Sequence, residues 1–93
     1  QVAPAELEAV LLEHPQIADA AVIPAHDDTG EEVPKAFVVV REGGEVADEE
    51  IMGFVAERVA PHKKVRLLER IDAVPKSASG KILRKDLRAR ERA

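Results

Sequence analysis

Cysteine, tryptophan and tyrosine are absent from this 93-residue chain, and phenylalanine occurs only twice. Without cysteine there is no disulfide, no thiolate zinc ligand and no thiol nucleophile, a composition that suits a reducing compartment, so a cytoplasmic location is expected. With Phe37 and Phe54 as the only aromatic rings, the chain offers no stacking platform for bases or sugars. Its core must be assembled from Val, Ile, Leu and Ala. Long apolar runs are missing as well: the longest, Ala36 to Val40, falls far short of the roughly 20 residues that cross a bilayer. The N-terminus lacks the basic-then-apolar pattern of a signal peptide, and no membrane span is expected.

Positive charge is scarce in most of the chain and concentrated at its end. The formal net charge is −4; residues 1–75 carry 7 basic and 16 acidic side chains, and residues 76–93 carry 7 and 2. A cationic tail on an anionic body suits an acidic protein surface or a phosphate-bearing ligand. The acidic remainder repels a polyanion, so a nucleic-acid partner is not expected. The length fits a single domain that buries roughly 60 to 65% of the surface its unfolded chain exposes.

The apolar pattern predicts the element order. Leu7, Val10, Leu11 and His14 recur at i, i+3, i+4 and i+7, which predicts a helix over residues 5–14 with Pro4 in its first turn and Glu6 and Glu8 at its positive end. Pro15 stops it. Residues 17–23 (IADAAVI) read as a strand, and residues 26–34 as a turn centred on Gly30. Residues 36–40 (AFVVV) are apolar without alternation, as in a central strand covered on both faces. After the Glu42-Gly43-Gly44-Glu45 turn, Asp48 is the expected N-cap of a helix over residues 49–60, with Ile51, Phe54, Val55 and Val59 as its stripe and Pro61 as its end. Residues 65–71 alternate as a third strand. Residues 75–80 form a loop, and a short basic helix follows from about Leu83 with Leu87 facing inward. The result is an α+β single domain, a small mixed or antiparallel sheet of three main strands flanked by three helices.

Few residues stand out chemically. Ser79-Gly80-Lys81 invites comparison with a phosphate-binding P-loop, yet Pro75 stands where that motif needs glycine and Ile82 where it needs Ser or Thr. Two readings of Lys81 remain: a flexible cation presented to a neighbouring anionic site past a permissive glycine, or a solvated lysine ahead of a helix. His14, His26 and His62 are scattered and read as solvent-facing turn residues. His26 with Asp27, Asp28 or Glu31 is a poor ligand set, and no metal site is expected.

The stretch PKSASGKILRKDLR, residues 75–88, closely resembles the signature near the C-terminus of acyl-adenylate-forming enzymes. That superfamily comprises acyl-CoA synthetases, firefly luciferases and the adenylation domains of peptide synthetases, with a motif of the Pro-Lys-Thr-x-Ser-Gly-Lys-Ile type. Ser77 stands here where threonine is usual. The opening QVAPAELEAVLLEHPQIADAAVI is similar to the segment after the hinge in the 4-coumarate:CoA ligase and luciferase branch, and EVPKAFVVV and VAPHKKVRLLERIDAVPKSASGK match as well. The resemblance thus runs, in order, along essentially the whole chain.

It implies that residues 1–93 are the small, mobile C-terminal domain of an ATP-dependent carboxylic acid:CoA ligase, whose large ATP- and acyl-binding N-terminal domain lies outside the chain. Lys81 corresponds to the family's adenylation lysine, on an active-site loop that includes Ser79 and Gly80. Gln1 matches a glutamine that several members hold near the active site, which makes it a candidate AMP or substrate contact. ATP with Mg and CoA are implied as substrates of the full-length enzyme. This domain alone is expected to bind none of them and to be inactive. The resemblance also implies rotation of the small domain between adenylation and thioesterification. A regulatory alternative follows, because similar lysines are acetylated by Gcn5-related lysine acetyltransferases: Lys81 becomes the modified residue, and Arg84, Lys85, Arg88 and Arg90 the candidate contacts for that partner.

Overall fold

A computed structural model describes residues 3–91. The elements run α1 (Pro4–Leu12), β1 (Ile17–His26), β2 (Glu32–Val40), α2 (Asp48–Ala56), a 3-10 turn at Pro61–Lys63, β3 (Leu67–Arg70) and α3 (Arg84–Glu91). The three strands make one mixed sheet in the order β1-β2-β3, with β1 antiparallel and β3 parallel to β2. Three helices and a three-stranded sheet form the expected α+β domain.

The apolar run in β2 places this strand at the centre. Alternate side chains point to opposite faces, so Ala36 and Val38 join Leu7 and Leu11 of α1 and Ile51 and Val55 of α2 in one buried cluster. Phe37 points the other way and packs with Ala21 and Ile23 of β1, Val74 and Leu87 of α3. Both faces of the sheet are therefore covered, α1 and α2 on one side and α3 with its preceding loop on the other.

Several boundaries differ from those read in the sequence. The β1–β2 hairpin is longer, because Ile23 to His26 and Glu32 to Lys35 continue the ladder. Its turn shrinks to a few residues around the Asp27 carboxylate, which accepts hydrogen bonds from the Thr29 hydroxyl (2.7 Å), the Thr29 amide (2.9 Å) and the Glu31 amide (3.0 Å). The Thr29 hydroxyl leads these bonds in holding the Asp27 carboxyl below its ordinary pKa, against a smaller opposing effect of desolvation. His26 closes β1 opposite Glu32 instead of opening the turn.

Helix α2 starts at Asp48 with Ala47 in the cap position and no side-chain cap. Asp48 instead joins Glu49 and Glu50 in the first turn, where acids complement the helix dipole. The helix stops at Ala56, four residues short of the expected end, and Ala60, which precedes Pro61, is extended (φ −62°, ψ 147°). Strand β3 is shorter than read, although the Arg66 amide to the Pro34 carbonyl (3.0 Å) and the Ile71 amide to the Val38 carbonyl (2.9 Å) prolong its pairing at both ends.

His14 is a correction. It lies beyond the end of α1 and is only 4% exposed. Its Nδ1 accepts the Gln16 amide (3.0 Å), its Nε2 lies 3.2 Å from Glu50, and its ring meets the edge of Phe54. The i+7 spacing from Leu7 already put it on the apolar face.

Candidate functional site

Residues 75–83 form a narrow hairpin that hangs from the second core cluster. Lys76 pairs with Ile82 in an antiparallel bridge. The Ser77 amide donates to the Lys81 carbonyl (2.9 Å), and the Leu83 amide to the Pro75 carbonyl (2.9 Å). At the tip the Gly80 amide donates to the Ser77 carbonyl (2.9 Å), and the Lys81 amide to Ser77 Oγ (3.2 Å), which also lies 3.0 Å from Ser79 Oγ. Gly80 has φ 88°, the left-handed backbone that glycine adopts without the cost a β-carbon imposes. The amides of Ser77, Gly80 and Lys81 are thus used to shape the hairpin. A P-loop would turn such amides toward phosphate, so the shape agrees with the mismatches in the motif.

Ser79, Gly80 and Lys81 are exposed at this tip. Among the described residues, no carboxylate lies within ion-pair distance of the Lys81 ammonium. The hairpin roots, by contrast, are tied down. Lys76 Nζ lies 2.7 Å from Asp19 on β1. Val74 is buried and Ile82 partly buried against the cluster around Phe37.

Beyond Leu83, Arg84 turns inward. Its Nη2 lies 2.5 and 2.7 Å from the two carboxylate oxygens of Glu8, and its Nε donates to the Val22 carbonyl (3.2 Å). Glu8, only 7% exposed, also accepts the Val22 amide at 2.8 Å.

These contacts close the outer edge of the sheet. Ala20, Val22 and Pro24 turn their backbone nitrogens away from β2. The Ala20 amide donates to Asp19 Oδ1 (2.9 Å), the Val22 amide to Glu8, and proline has no N–H to offer. An open edge of this kind would otherwise invite another strand.

The basic helix divides accordingly. Arg84 is paired with Glu8 and keeps 29% of its side chain exposed. Arg90 reaches Glu69 (2.8 and 2.9 Å). Lys85 and Arg88 are exposed, without an acidic partner among the described residues. Gln1 lies outside the described residues. No group of three metal-ligating side chains occurs among the described residues, and none of their helices is long and apolar enough to cross a membrane. Glu8 and Asp19 were missed in the sequence. The signal for Glu8 was an acid three residues before Leu11, on the buried side of α1.

The family model for the AMP-binding enzyme C-terminal domain matches residues 6–81, ending on the hairpin lysine. The chain belongs to that family. A 4-coumarate–CoA ligase-like protein of Oryza sativa subsp. japonica is 61% identical over 88 residues, which are 95% of this chain and 16% of that protein. Among solved structures, a fatty acyl CoA synthetase of Mycobacterium tuberculosis superposes with a TM-score of 0.86 at 32% identity, covering 96% of this chain and 18% of the synthetase. A benzoate CoA ligase of Burkholderia xenovorans LB400 gives 0.81 at 40% identity over 91% of this chain and 18% of the ligase. The chain therefore spans about one sixth of the length of each of these three proteins.

Proposed function

We propose that this domain is the C-terminal, catalytic-lysine-bearing part of an ATP-dependent carboxylic acid:CoA ligase, and that Lys81 supplies the positive charge for acyl-AMP formation. The observation that carries the reading is an ammonium without a carboxylate partner among the described residues, at the tip of a hairpin whose roots are fixed. Both faces of the sheet are already covered, so nucleotide and acid belong to the larger remainder of the protein. In adenylation a carboxylate oxygen attacks the α-phosphorus of ATP, supplied as its Mg complex. The bond to the bridging oxygen breaks, and pyrophosphate leaves. Lys81, held beside that centre, offsets the negative charge gathering on the carboxylate and phosphoryl oxygens. In the second half-reaction the CoA thiol loses its proton, attacks the acyl carbonyl and expels AMP. Lys81 has no part in that step, which suits a domain that pivots away between the two.

In the full-length protein, Lys81→Ala is expected to slow acyl-AMP formation by about 100- to 1,000-fold, while thioester formation from supplied acyl-AMP stays near wild type. Pyrophosphate release and thioester assays report the two steps separately. Equal loss in both steps argues against the assignment. The acids named in two of the related proteins, 4-coumarate and benzoate, are the first substrates to try.

The exposure of the same lysine favours a second, compatible reading as a site of acetylation. Transfer of acetyl from acetyl-CoA to Nζ, with loss of its proton and release of the CoA thiol, removes the charge that adenylation needs. Lys85 and Arg88, on the helix that follows the hairpin, would meet the acidic surface of a lysine acetyltransferase. Mass spectrometry after incubation with such an enzyme and acetyl-CoA is expected to show one modification, at Lys81. Labelling scattered over Lys63, Lys64 and Lys85 counts against it.

A further inference from the structure

We infer that Glu8 and Arg84 act together as a positioning clamp for Lys81, an inference that rests on the adenylation role proposed above. Lys81 stands three residues before Arg84, and between them Ile82 and Leu83 close the hairpin through the Lys76 bridge and the Pro75 carbonyl. The point at which hairpin becomes helix is therefore the point that fixes the second limb in space. There Arg84 grips both oxygens of Glu8 (2.5 and 2.7 Å) and the Val22 carbonyl (3.2 Å), and Glu8 grips the Val22 amide (2.8 Å). Three segments far apart in sequence, α1, the outer edge of β1 and the start of α3, meet in one four-bond network.

Core packing alone does not require this arrangement. Leu87 already anchors α3, and Lys76 already ties the first limb to Asp19. What the clamp adds is direction. Nη2 of the planar guanidinium holds Glu8 while Nε holds the Val22 carbonyl, and two points of attachment on one rigid plane admit little rotation, so the contact sets the bearing of the segment that carries Lys81. Neither residue reaches the exposed tip, so both are positioning residues.

The test uses the full-length protein with Glu8→Gln, Arg84→Lys, the double variant, and Lys81→Ala as reference. Glu8→Gln and Arg84→Lys are each expected to lower the rate of acyl-AMP formation on the order of 10- to 100-fold, as for a misplacement of about 1 Å. The KM for ATP should change little, and thioester formation from supplied acyl-AMP should stay within about twofold of wild type. Lysine keeps the charge of Arg84 and loses the fork, so its failure to rescue separates geometry from electrostatics. The double variant should cost no more than the worse single one.

Hydrogen–deuterium exchange should rise across residues 75–87 and stay unchanged across residues 61–70. Equal loss in both half-reactions, or exchange rising through the whole domain, overturns the clamp in favour of a general structural role. Unchanged adenylation and unchanged exchange overturn it outright. Should Lys81→Ala itself leave adenylation intact, the adenylation reading fails. The clamp is then judged by exchange alone, standing if the rise is confined to 75–87 and falling if it is absent.

Discussion

Gly80 holds its φ of 88° with nothing within 4 Å of where a β-carbon would sit. Any penalty for a larger residue there is therefore a backbone penalty, roughly 1–2 kcal/mol for most L-residues and smaller for asparagine, which tolerates the left-handed region. If Lys81 has the role proposed, Gly80→Asn in the full-length protein is expected to retain most acyl-AMP formation and Gly80→Val to lose most of it, and the larger backbone penalty should also lower the melting temperature of the valine variant more than that of the asparagine variant. If the two variants fell equally, backbone conformation at the tip would not be what matters. The tip itself was legible in the sequence, because glycine before lysine in a serine-rich loop advertises both conformation and charge. Glu8 and Arg84 were not. They are 76 residues apart, and each alone looks like one more surface charge, an acid favouring a helix start and a base in a cationic tail. His14 shows the same limit, since its spacing placed it on the buried face while its polarity suggested solvent.

Helix α3 is short, with Leu87 as its one buried side chain, and ion pairs flank it at both ends. At its start stands Arg84 on Glu8. At its end Lys35 of β2, only 12% exposed over the ring of Phe37, pairs with Glu91 and with Glu69 of β3 (3.0 Å), while Arg90 also reaches Glu69. Burial works to lower the Lys35 pKa, but the hydrogen bonds to Glu91 and Glu69 outweigh it and hold the value above the ordinary 10.5. The bond from Lys35, followed by the Arg90 contact, holds Glu69 below its ordinary 4.5 despite some desolvation. A depressed carboxylate contributes stability above its unfolded pKa and loses it as pH falls through the folded one. The Glu69 contribution is thus present at neutral pH and fades below about pH 4.5, whereas the Lys35 contribution is lost only as pH rises past 10.5. Lys35→Met is expected to change stability at pH 7 by about 1 kcal/mol or less and to flatten the fall in melting temperature between pH 5 and 3. Leu87→Ala should cost about 2–4 kcal/mol at any pH in that range. Thermal unfolding of the 93-residue chain across pH separates the two, and an unchanged acid slope in Lys35→Met would remove the ion network from the account. Helices and strands were readable from apolar period. Their ends were not, because a strand continues wherever a partner supplies hydrogen bonds, as Glu32–Lys35 does for β1, and that partner is a tertiary fact.

Across the whole molecule, the acidic body neutralises half of the described cations that follow Pro75. Lys76, Arg84 and Arg90 are each met by a carboxylate from residues 1–75, namely Asp19, Glu8 and Glu69. Lys81, Lys85 and Arg88 keep their charge for something outside. In a domain 35 Å in its longest dimension, carboxylates on the far side lie beyond the screening distance of about 10 Å at 0.1 M salt. The approaching anion therefore meets a local positive field in spite of the negative total. If that anion is the polyphosphate of ATP in the larger domain, the three cations divide the work: Lys85 and Arg88 act at a distance, and Lys81 acts at the reacting centre. Charge reversal by Lys85→Glu with Arg88→Glu in the full-length protein is then expected to raise the KM for ATP several-fold at low ionic strength with kcat nearly kept, since long-range attraction guides encounter more than it lowers a barrier. The penalty should vanish near 0.5 M salt, where the screening length shrinks to about 4 Å. Lys81→Ala should depress kcat for adenylation at every salt concentration, because a charge in contact with the reacting oxygens is little screened. Steady-state pyrophosphate release measured over a salt series distinguishes the two patterns. A charge-reversal penalty that ignores salt would mean that Lys85 and Arg88 touch the nucleotide or the larger domain directly, and the steering account would fall.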